Sequence, residues 1–457
     1  RSQRIADKAF LGEERKEAVM RILHTADWHL GKTIEGRSRI EEQRAFLRDF
    51  AEIARRERAD LVIVAGDIYD SPNPSAEAEK LFYQSLKEIT QDGKRLILVI
   101  AGNHDSPERL VAAGPLAADH GILMAGLPGT VIPVGSYGLH RVVASGNGYV
   151  EIEINGERAV ILFLPYPSEK RLNDAIYREM DESAERAASY GEKIARLFAE
   201  LEGKYREDTV NLAAAHLFAM DVTAGGSERG LELGGSYLVD GACLPPKAGY
   251  IALGHVHKFQ LVPHTQGRAY YSGSPIAYHR REAGSEKMCI LAEGKAGQSF
   301  RVKEIPLPVY KPIQVWRAKS PEEAIELCRL HSEEDSWVYL EVETERGYIL
   351  EDEIRRMKEL KKDILEIHPI VPGEDDPEGT DFSASGYEKT CPGGIGEKTL
   401  PEVFADYYRQ EMKGAVPEQE LIELLLELSR EDGKEETYEA SEAKDQGPEQ
   451  FYKRTDD

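Results

Sequence analysis

Two short runs in this chain, Leu61–Ala65 (LVIVA) and Leu96–Ala101 (LILVIA), are apolar at every position. Side chains alternate between the two faces of a strand, so a strand with no polar face must be covered on both. That demand points to a layered α/β domain with a central sheet. The segments between the runs supply the cover. Glu41–Arg58 has helical spacing, with Phe46, Leu47, Phe50 and Ile53 on one face. Ser75–Ile89 reads as a helix that starts after Pro72 and Pro74. Ile22–Thr25, Val210–Ala215 and Tyr250–Leu253 read as further buried strands, and Glu169–Leu201 as largely helical. In Val142–Leu164, Val150–Ile154 alternates, Asn155-Gly156 turns and Ala159–Leu164 returns, which is a hairpin.

At 457 residues the chain exceeds what one hydrophobic core sustains, roughly 250–300 residues, so at least two domains are expected. The character shifts near Pro306-Leu307-Pro308. Residues 310–370 read as a small α+β unit, with strands at Ile313–Arg317 and Trp337–Val342 and helices at Pro321–His331 and Leu350–Leu360. Residues 371–398, rich in Gly, Pro, Asp and Glu, read as a linker. Two amphipathic helices follow within 399–430, at Leu400–Met412 and Pro417–Ser429, and 431–457 read as an acidic disordered tail. Met20 opens the first strand and is the expected natural start, with 1–19 an upstream extension; a native N-terminal helix is the alternative. No apolar run approaches the ~20 residues of a membrane span. The four cysteines are scattered and form no CxxC pair, so a reduced cytoplasmic protein without a disulfide frame or a structural zinc site is expected. Net charge is −24, but residues 311–457 hold 39 acidic against 19 basic residues and carry most of it. The N-terminal body is nearly neutral and need not repel a phosphate backbone.

Five clusters each place His, Asp or Asn just after a buried strand, where loops gather at one edge of an α/β sheet. They are Asp27-Trp28-His29, Gly66-Asp67-Ile68-Tyr69-Asp70, Gly102-Asn103-His104-Asp105, His216 and Gly254-His255-Val256-His257. Carboxylates and imidazoles without thiolates suit a divalent metal such as Mn, Fe or Zn. The D-x-H and H-x-H steps would put both ligands on one side of an extended segment. Glycines before Asp67, Asn103 and His255 let the backbone approach an ion closely. One histidine after a strand is by itself an ordinary loop residue, and D-x-H alone is weak. An apolar strand ending in Asn-His-Asp has no packing rationale, and the five clusters together leave the plain reading little room.

In that order the clusters resemble the calcineurin-like metallophosphoesterase superfamily, and within it the SbcD family of DNA repair nuclease subunits. The stretches that carry the resemblance are HTADWHLGK (24–32), VAGDIYDSPNPS (64–75), VIAGNHDSPERL (99–110), ALGHVHKFQ (252–260) and YSGSPIAYHRRE (271–282). It implies a four-layer α/β/β/α core over residues 20–309, a small α+β capping domain at 310–370, and C-terminal helices. It also implies two Mn²⁺ ions, or Mg²⁺ or another divalent metal, bridged by Asp67. Asp27, His29 and His257 would complete one site, and Asn103, His216 and His255 the other. His104 would be the catalytic histidine, oriented by Asp105. Two ions so held act on the attacking and leaving oxygens of an in-line displacement. Asp70 stands where many relatives have a second histidine; it could orient a ligand, help place DNA, or cap the following turn.

The resemblance further implies a nuclease of double-strand-break repair, exonucleolytic 3′→5′ on duplex ends and endonucleolytic on single-stranded or hairpin DNA. It would act in the cytoplasm at the nucleoid, without a membrane partner, as a homodimer in a 2:2 complex with the SbcC ATPase. No G-x-x-x-x-G-K-[ST] loop occurs in the chain, so ATP would be handled by that partner. The helix at 75–91 and the segment 106–119 are candidates for the dimer contact, and nothing in their spacing singles out an interface. The C-terminal helices either fold back on the core or dock on SbcC, the reading the resemblance favours. Lys32, Arg37, Arg39, Arg109 and Lys258 are candidate DNA contacts by their nearness to the motifs, each equally readable as a solvated charge. A phosphodiesterase or phosphatase acting on small molecules or phosphoproteins would use the same metal set and is the rival reading.

Overall fold

The computed structural model describes residues 19–168, 170–172, 190–224, 238–371 and 421. Apart from Val19, Val371 and Leu421, the expected N-terminal extension, linker, C-terminal helices and tail lie outside the described residues.

Two sheets face each other. The first has six strands in the order Arg301–Pro306, Met288–Gly294, Met20–Thr25, Leu61–Ala65, Leu96–Ile100, Ile122–Ala125. Its last four strands are parallel, and the first two pair antiparallel. The second has eight, in the order Gln260–Leu261, Ala269–Tyr271, Tyr250–Gly254, Val210–His216, Glu157–Leu164, Tyr149–Ile154, His140–Gly146, Gly135–Tyr137. Here Glu157–Leu164, Val210–His216, Tyr250–Gly254 and Ala269–Tyr271 run parallel.

The all-apolar runs acquire their two-sided cover from this stacking. Val62, Val64, Ile97 and Val99 pack outward against Phe46, Leu47 and Phe50 of helix Ile40–Arg56 and Phe82 of helix Ala76–Thr90. Leu61, Ile63, Leu96 and Leu98 point inward, onto Ile152, Ile161, Phe163, Leu212 and Ala252 of the second sheet. The far face of that sheet, with Val160, Leu162, Ala213 and Leu253, is covered by Ile194 and Phe198 of helix Tyr190–Leu201. The layers are therefore α/β/β/α. Asn155 (φ 53°) and Gly156 (φ 84°) make the expected hairpin turn.

His24 ties the two sheets within the inner layer. Its Nδ1 lies 2.9 Å from the Tyr250 hydroxyl and its Nε2 3.1 Å from the Leu253 carbonyl. Burial drives its pKa down to about 3, so the ring is neutral. Nε2–H then donates to the carbonyl, and Nδ1 accepts from the tyrosine.

Residues 313–370 form a three-stranded parallel sheet, Ile313–Ala318, Trp337–Glu343 and Ile364–Ile370, crossed by helices Pro321–Leu330 and Glu351–Leu360. The apolar pattern does not signal the third strand, because Glu366, His368 and Pro369 interrupt it. The unit has its own small core around Val338, Leu340 and Met357. A separate cluster joins it to the larger body, with Ile313, Trp337 and Tyr339 packed on Ile34 and Ala277. No described helix is long and apolar enough to cross a membrane.

Candidate metal centre

The five motif clusters meet at one end of the two parallel strand sets. Loops after neighbouring strands hold each other: Asp27 N–H donates to Gly66 O, His29 N–H to Asp67 O and Leu30 N–H to Ile68 O, at 2.8–3.0 Å. Between the two ligand-type residues of the first cluster, Trp28 turns the other way. It is fully buried among Phe46, Phe50 and Phe82, edge-on to each ring. The segment is not extended, contrary to the spacing argument. Asp27 (φ 56°), His29 (φ 44°), Asp67 (φ 52°) and His255 (φ 106°) all take left-handed backbone, which costs about 1–3 kcal/mol each and collects at functional sites.

Asp67 lies at the middle of the cluster. Its Oδ1 accepts from His104 N–H at 2.9 Å. Its Oδ2 is 3.6 Å from His29 Nε2 and 3.5 Å from His216 Nε2. On one side, ligand atoms of Asp27, His29 and His257 lie within 4.8 Å of one another; on the other, those of Asp67, His216 and His255 do. Asn103 Oδ1 joins the second group, 2.9 Å from both His216 Nε2 and His255 Nδ1. All seven residues expected as ligands are thus brought together.

The donors fit a metal. Asp27 Oδ2 and His29 Nδ1 are buried without a hydrogen-bond partner, a costly state for groups that find one nearly everywhere else. Ring nitrogens also face one another, His29 Nε2 and His257 Nε2 at 3.0 Å and His255 Nδ1 and His216 Nε2 at 3.3 Å. Hydrogen bonds fix some of the free nitrogens. His216 Nδ1–H donates to the Ala65 carbonyl at 2.8 Å, which turns Nε2 toward the cluster. His104 Nδ1–H likewise donates to the Asp70 carbonyl at 2.8 Å.

Burial alone would raise the Asp67 carboxyl, but His216, His29 and His104 more than reverse it and hold it well below the usual carboxylate range. Burial opposes charge on His216, yet the Asp67 and Asp27 carboxylates outweigh it and raise the ring to about 9. Burial leads in lowering His255 to about 3 and His29 well below its ordinary value, so both are neutral and able to ligate. Asp27 is pushed up to about 7, chiefly by burial.

Some residues take other places than the sequence suggested. Asp105, expected to orient His104, makes three backbone contacts. Its oxygens accept from the backbone N–H of Ile68, Tyr69 and Gly102 at 2.8–3.1 Å, so it braces the loops that carry Asp67 and Asn103. Asp70 supplies the partner of His104 through its carbonyl, while its carboxylate accepts from Lys32 Nζ at 2.9 Å. Arg39 is 1% exposed, with its guanidinium on the Glu42 carboxylate and the Ala277 carbonyl, so it is withdrawn from any DNA surface. Arg37 and Lys258 are exposed; Arg109 is exposed and pairs with Glu79 and Asn73. Two supporting residues escaped the sequence reading. Tyr278 lies edge-on to His29 at 5.6 Å and bonds to the Trp28 carbonyl. Gln43 donates to the His29 carbonyl at 2.7 Å and accepts from Gly31 N–H at 3.0 Å.

Residues 20–259 match the calcineurin-like phosphoesterase family, and residues 309–412 match the type 5 capsule protein repressor C-terminal domain. The chain is similar to the SbcD subunit of the nuclease SbcCD from Bacillus subtilis (strain 168), 36% identical over 411 residues that cover 90% of this chain and 98% of that one. It is also similar to the proteins of that name from Rhodobacter capsulatus, at 33% over 64% of this chain and 70% of that one, and Escherichia coli (strain K12), at 28% over 76% and 83%.

Two outcomes follow from the packing and charge of the centre. A Cβ on Gly102 would meet Asp67 Oδ1 at 2.1 Å and Asp67 N at 2.3 Å. Gly102→Ala should therefore weaken Mn²⁺ binding at least about tenfold, measured by calorimetry; wild-type affinity would show that the loop relaxes freely. Secondly, a divalent cation must displace the proton that His216 holds below about 9. Its uptake at pH 7.5 should release roughly one proton per chain, and affinity should climb as pH rises toward that value. Heats of binding that do not change with the ionisation enthalpy of the buffer would contradict this.

Proposed function

Because this chain belongs to the calcineurin-like phosphoesterases, and within them to the SbcD family of nuclease subunits, we propose that it is a Mn²⁺-dependent DNA nuclease of double-strand-break repair. It removes nucleotides 3′→5′ from duplex ends and cuts single-stranded or hairpin DNA internally. The observation that supports this reading most directly is the pair of ligand groups on either side of Asp67, whose Oδ2 is 3.6 Å from His29 Nε2 and 3.5 Å from His216 Nε2, with His104 N–H donating to its Oδ1.

Asp27, His29, Asp67 and His257 would hold one ion, and Asp67, Asn103, His216 and His255 the other. Bound there, the ions supply charge neutralisation at the phosphate and an activated water. His104 is oriented by its Nδ1–H, which donates to the Asp70 carbonyl at 2.8 Å, and would act at the substrate through its ring. From that position it donates a proton or hydrogen bond to the departing oxygen. Lys32, paired with Asp70 and 5.7 Å above the Tyr278 ring, stands at the same rim and contacts the phosphate backbone together with Arg37 and Lys258.

The unit at 310–370 caps the site and helps present DNA to it. The partner is the SbcC ATPase, bound through the two amphipathic helices of 399–430. A homodimer forms through the helix Ala76–Thr90 and the segment 106–119, where Leu116 is 77% exposed.

Two experiments test the reading. A duplex labelled separately at its 3′ and 5′ ends is incubated with Mn²⁺ and the protein, beside a generic phosphodiester. Loss from the 3′ ends is expected, with His104→Ala slower by about 10²–10⁴-fold and still loaded with metal. Hydrolysis of the small ester with DNA intact, even with SbcC and ATP present, would move the protein to small-molecule phosphodiester chemistry, and loss of metal from His104→Ala would make that histidine a ligand. Deleting 399–430 should abolish co-purification with SbcC and spare nuclease activity; retained binding would place the contact elsewhere.

A further inference from the structure

The short turn Arg280–Glu282 has its two ends committed to different parts of the molecule. At one end the Arg280 guanidinium pairs with Glu341 and lies 5.8 Å over the Tyr339 ring, both on the central strand Trp337–Glu343 of the smaller unit. At the other end Glu282 Oε1 is 3.7 Å from Nδ1 of His257. The Glu282 Oε2 atom takes the Lys287 ammonium and, at 3.4 Å, the Ser274 hydroxyl. Lys287 Nζ donates also to Ser274 Oγ at 2.9 Å and to the His257 carbonyl at 3.3 Å, and Ser274 N–H donates to that same carbonyl at 3.1 Å. One cluster thus grips His257 at its ring and at its backbone.

The cluster is buried, with Glu282 3% and Lys287 6% exposed. A buried ion pair is seldom the most stable filling for its space, because desolvation of both charges offsets their attraction. Direction is what it offers here. An imidazole whose Nδ1 faces a fixed carboxylate has its tautomer and ring plane set, and presents Nε2 along one line. That line leads to His29 Nε2, 3.0 Å away, inside the first ligand group.

We propose that Glu282 is a positioning residue for His257, and that the Arg280–Glu341 contact ties this positioning to the seat of the smaller unit. The proposal rests on the reading of His257 as a metal ligand. It assigns the Glu341 carboxylate, a residue with no described contact to the ligand groups, an effect on the metal.

Mn²⁺ titrations of the full chain, followed by calorimetry and by the electron paramagnetic resonance signal of free Mn²⁺, test it. Wild type is compared with Glu282→Gln, with the double variant Glu282→Gln/Lys287→Met, which removes the unpaired ammonium, and with Glu341→Gln. The expected result is a loss of about 10–100-fold in affinity for one of two ions in both Glu282 variants, with the other ion unaffected. Glu341→Gln should weaken that same ion, by a smaller factor, at a temperature at which its melting curve shows the variant folded. Wild-type affinity for both ions in the double variant would overturn the positioning role. Unchanged affinity in Glu341→Gln would overturn the link to the smaller unit. A wild-type chain that takes up no Mn²⁺ would overturn the metal reading and this inference with it, and is told apart by the wild-type titration alone.

Discussion

A carboxylate in the interior of a protein needs compensation, and the compensation of Asp67 organises this molecule. Its side chain is almost completely buried, yet His216, His29 and His104 hold it ionised. Two of those histidines follow strands of the first sheet, and His216 ends a strand of the second. The charge is therefore balanced only when the two sheets are stacked in their native register. Remove the stacking and Asp67 loses a partner; remove Asp67 and the buried His216 imidazolium loses the anion that compensates its burial.

The glycines and the left-handed residues are consequences of the same constraint. Asp67 can reach the middle only because position 102 has no side chain, and His216 can turn its Nδ1 to the Ala65 carbonyl only because position 66 has none. Four ligand-type residues accept a disfavoured backbone conformation to aim their side chains. Strain of that kind persists where the surroundings over-determine it, and here the surroundings are extensive. Trp28 pins the first loop into the helical layer, while Asp105 braces the second and third through three backbone donors.

Strand-end motifs made the fold and the ligand-type residues legible from sequence, because a buried apolar run that stops at Asp or His leaves so few packing explanations. Legibility failed where a residue's meaning depends on what lies opposite in space. Arg39 reads as a surface cation beside a motif, but Glu42 three residues on lies on the same helical face and draws it inward. Asp105 follows the catalytic-type histidine in sequence, yet its turn points it back at the amides of Ile68 and Tyr69. Glu282 sits inside a stretch recognisable as a motif, but its contact with His257 spans 25 residues and no local pattern encodes it. The strand Ile364–Ile370 carries its polar residues because much of it is only half-covered, so its period is blurred.

Residues 311–457 hold 39 acidic against 19 basic residues, a composition that repels a phosphate backbone where its carboxylates face solvent. Within 310–370 the structure shows where part of that charge goes. Glu341 is almost fully buried against Arg280 of the larger body and Arg317 of its own sheet. The traffic runs the other way as well, since Glu42 and Glu35 of the larger body accept from the Trp337 indole and the Tyr339 hydroxyl. These three carboxylates are structural partners of basic and aromatic groups, whereas Glu322, Glu323, Glu333, Glu334 and Asp335 of the smaller unit stand exposed. Net charge summed along a segment does not say where its charges stand, and it is the local field around a site that an anionic ligand meets.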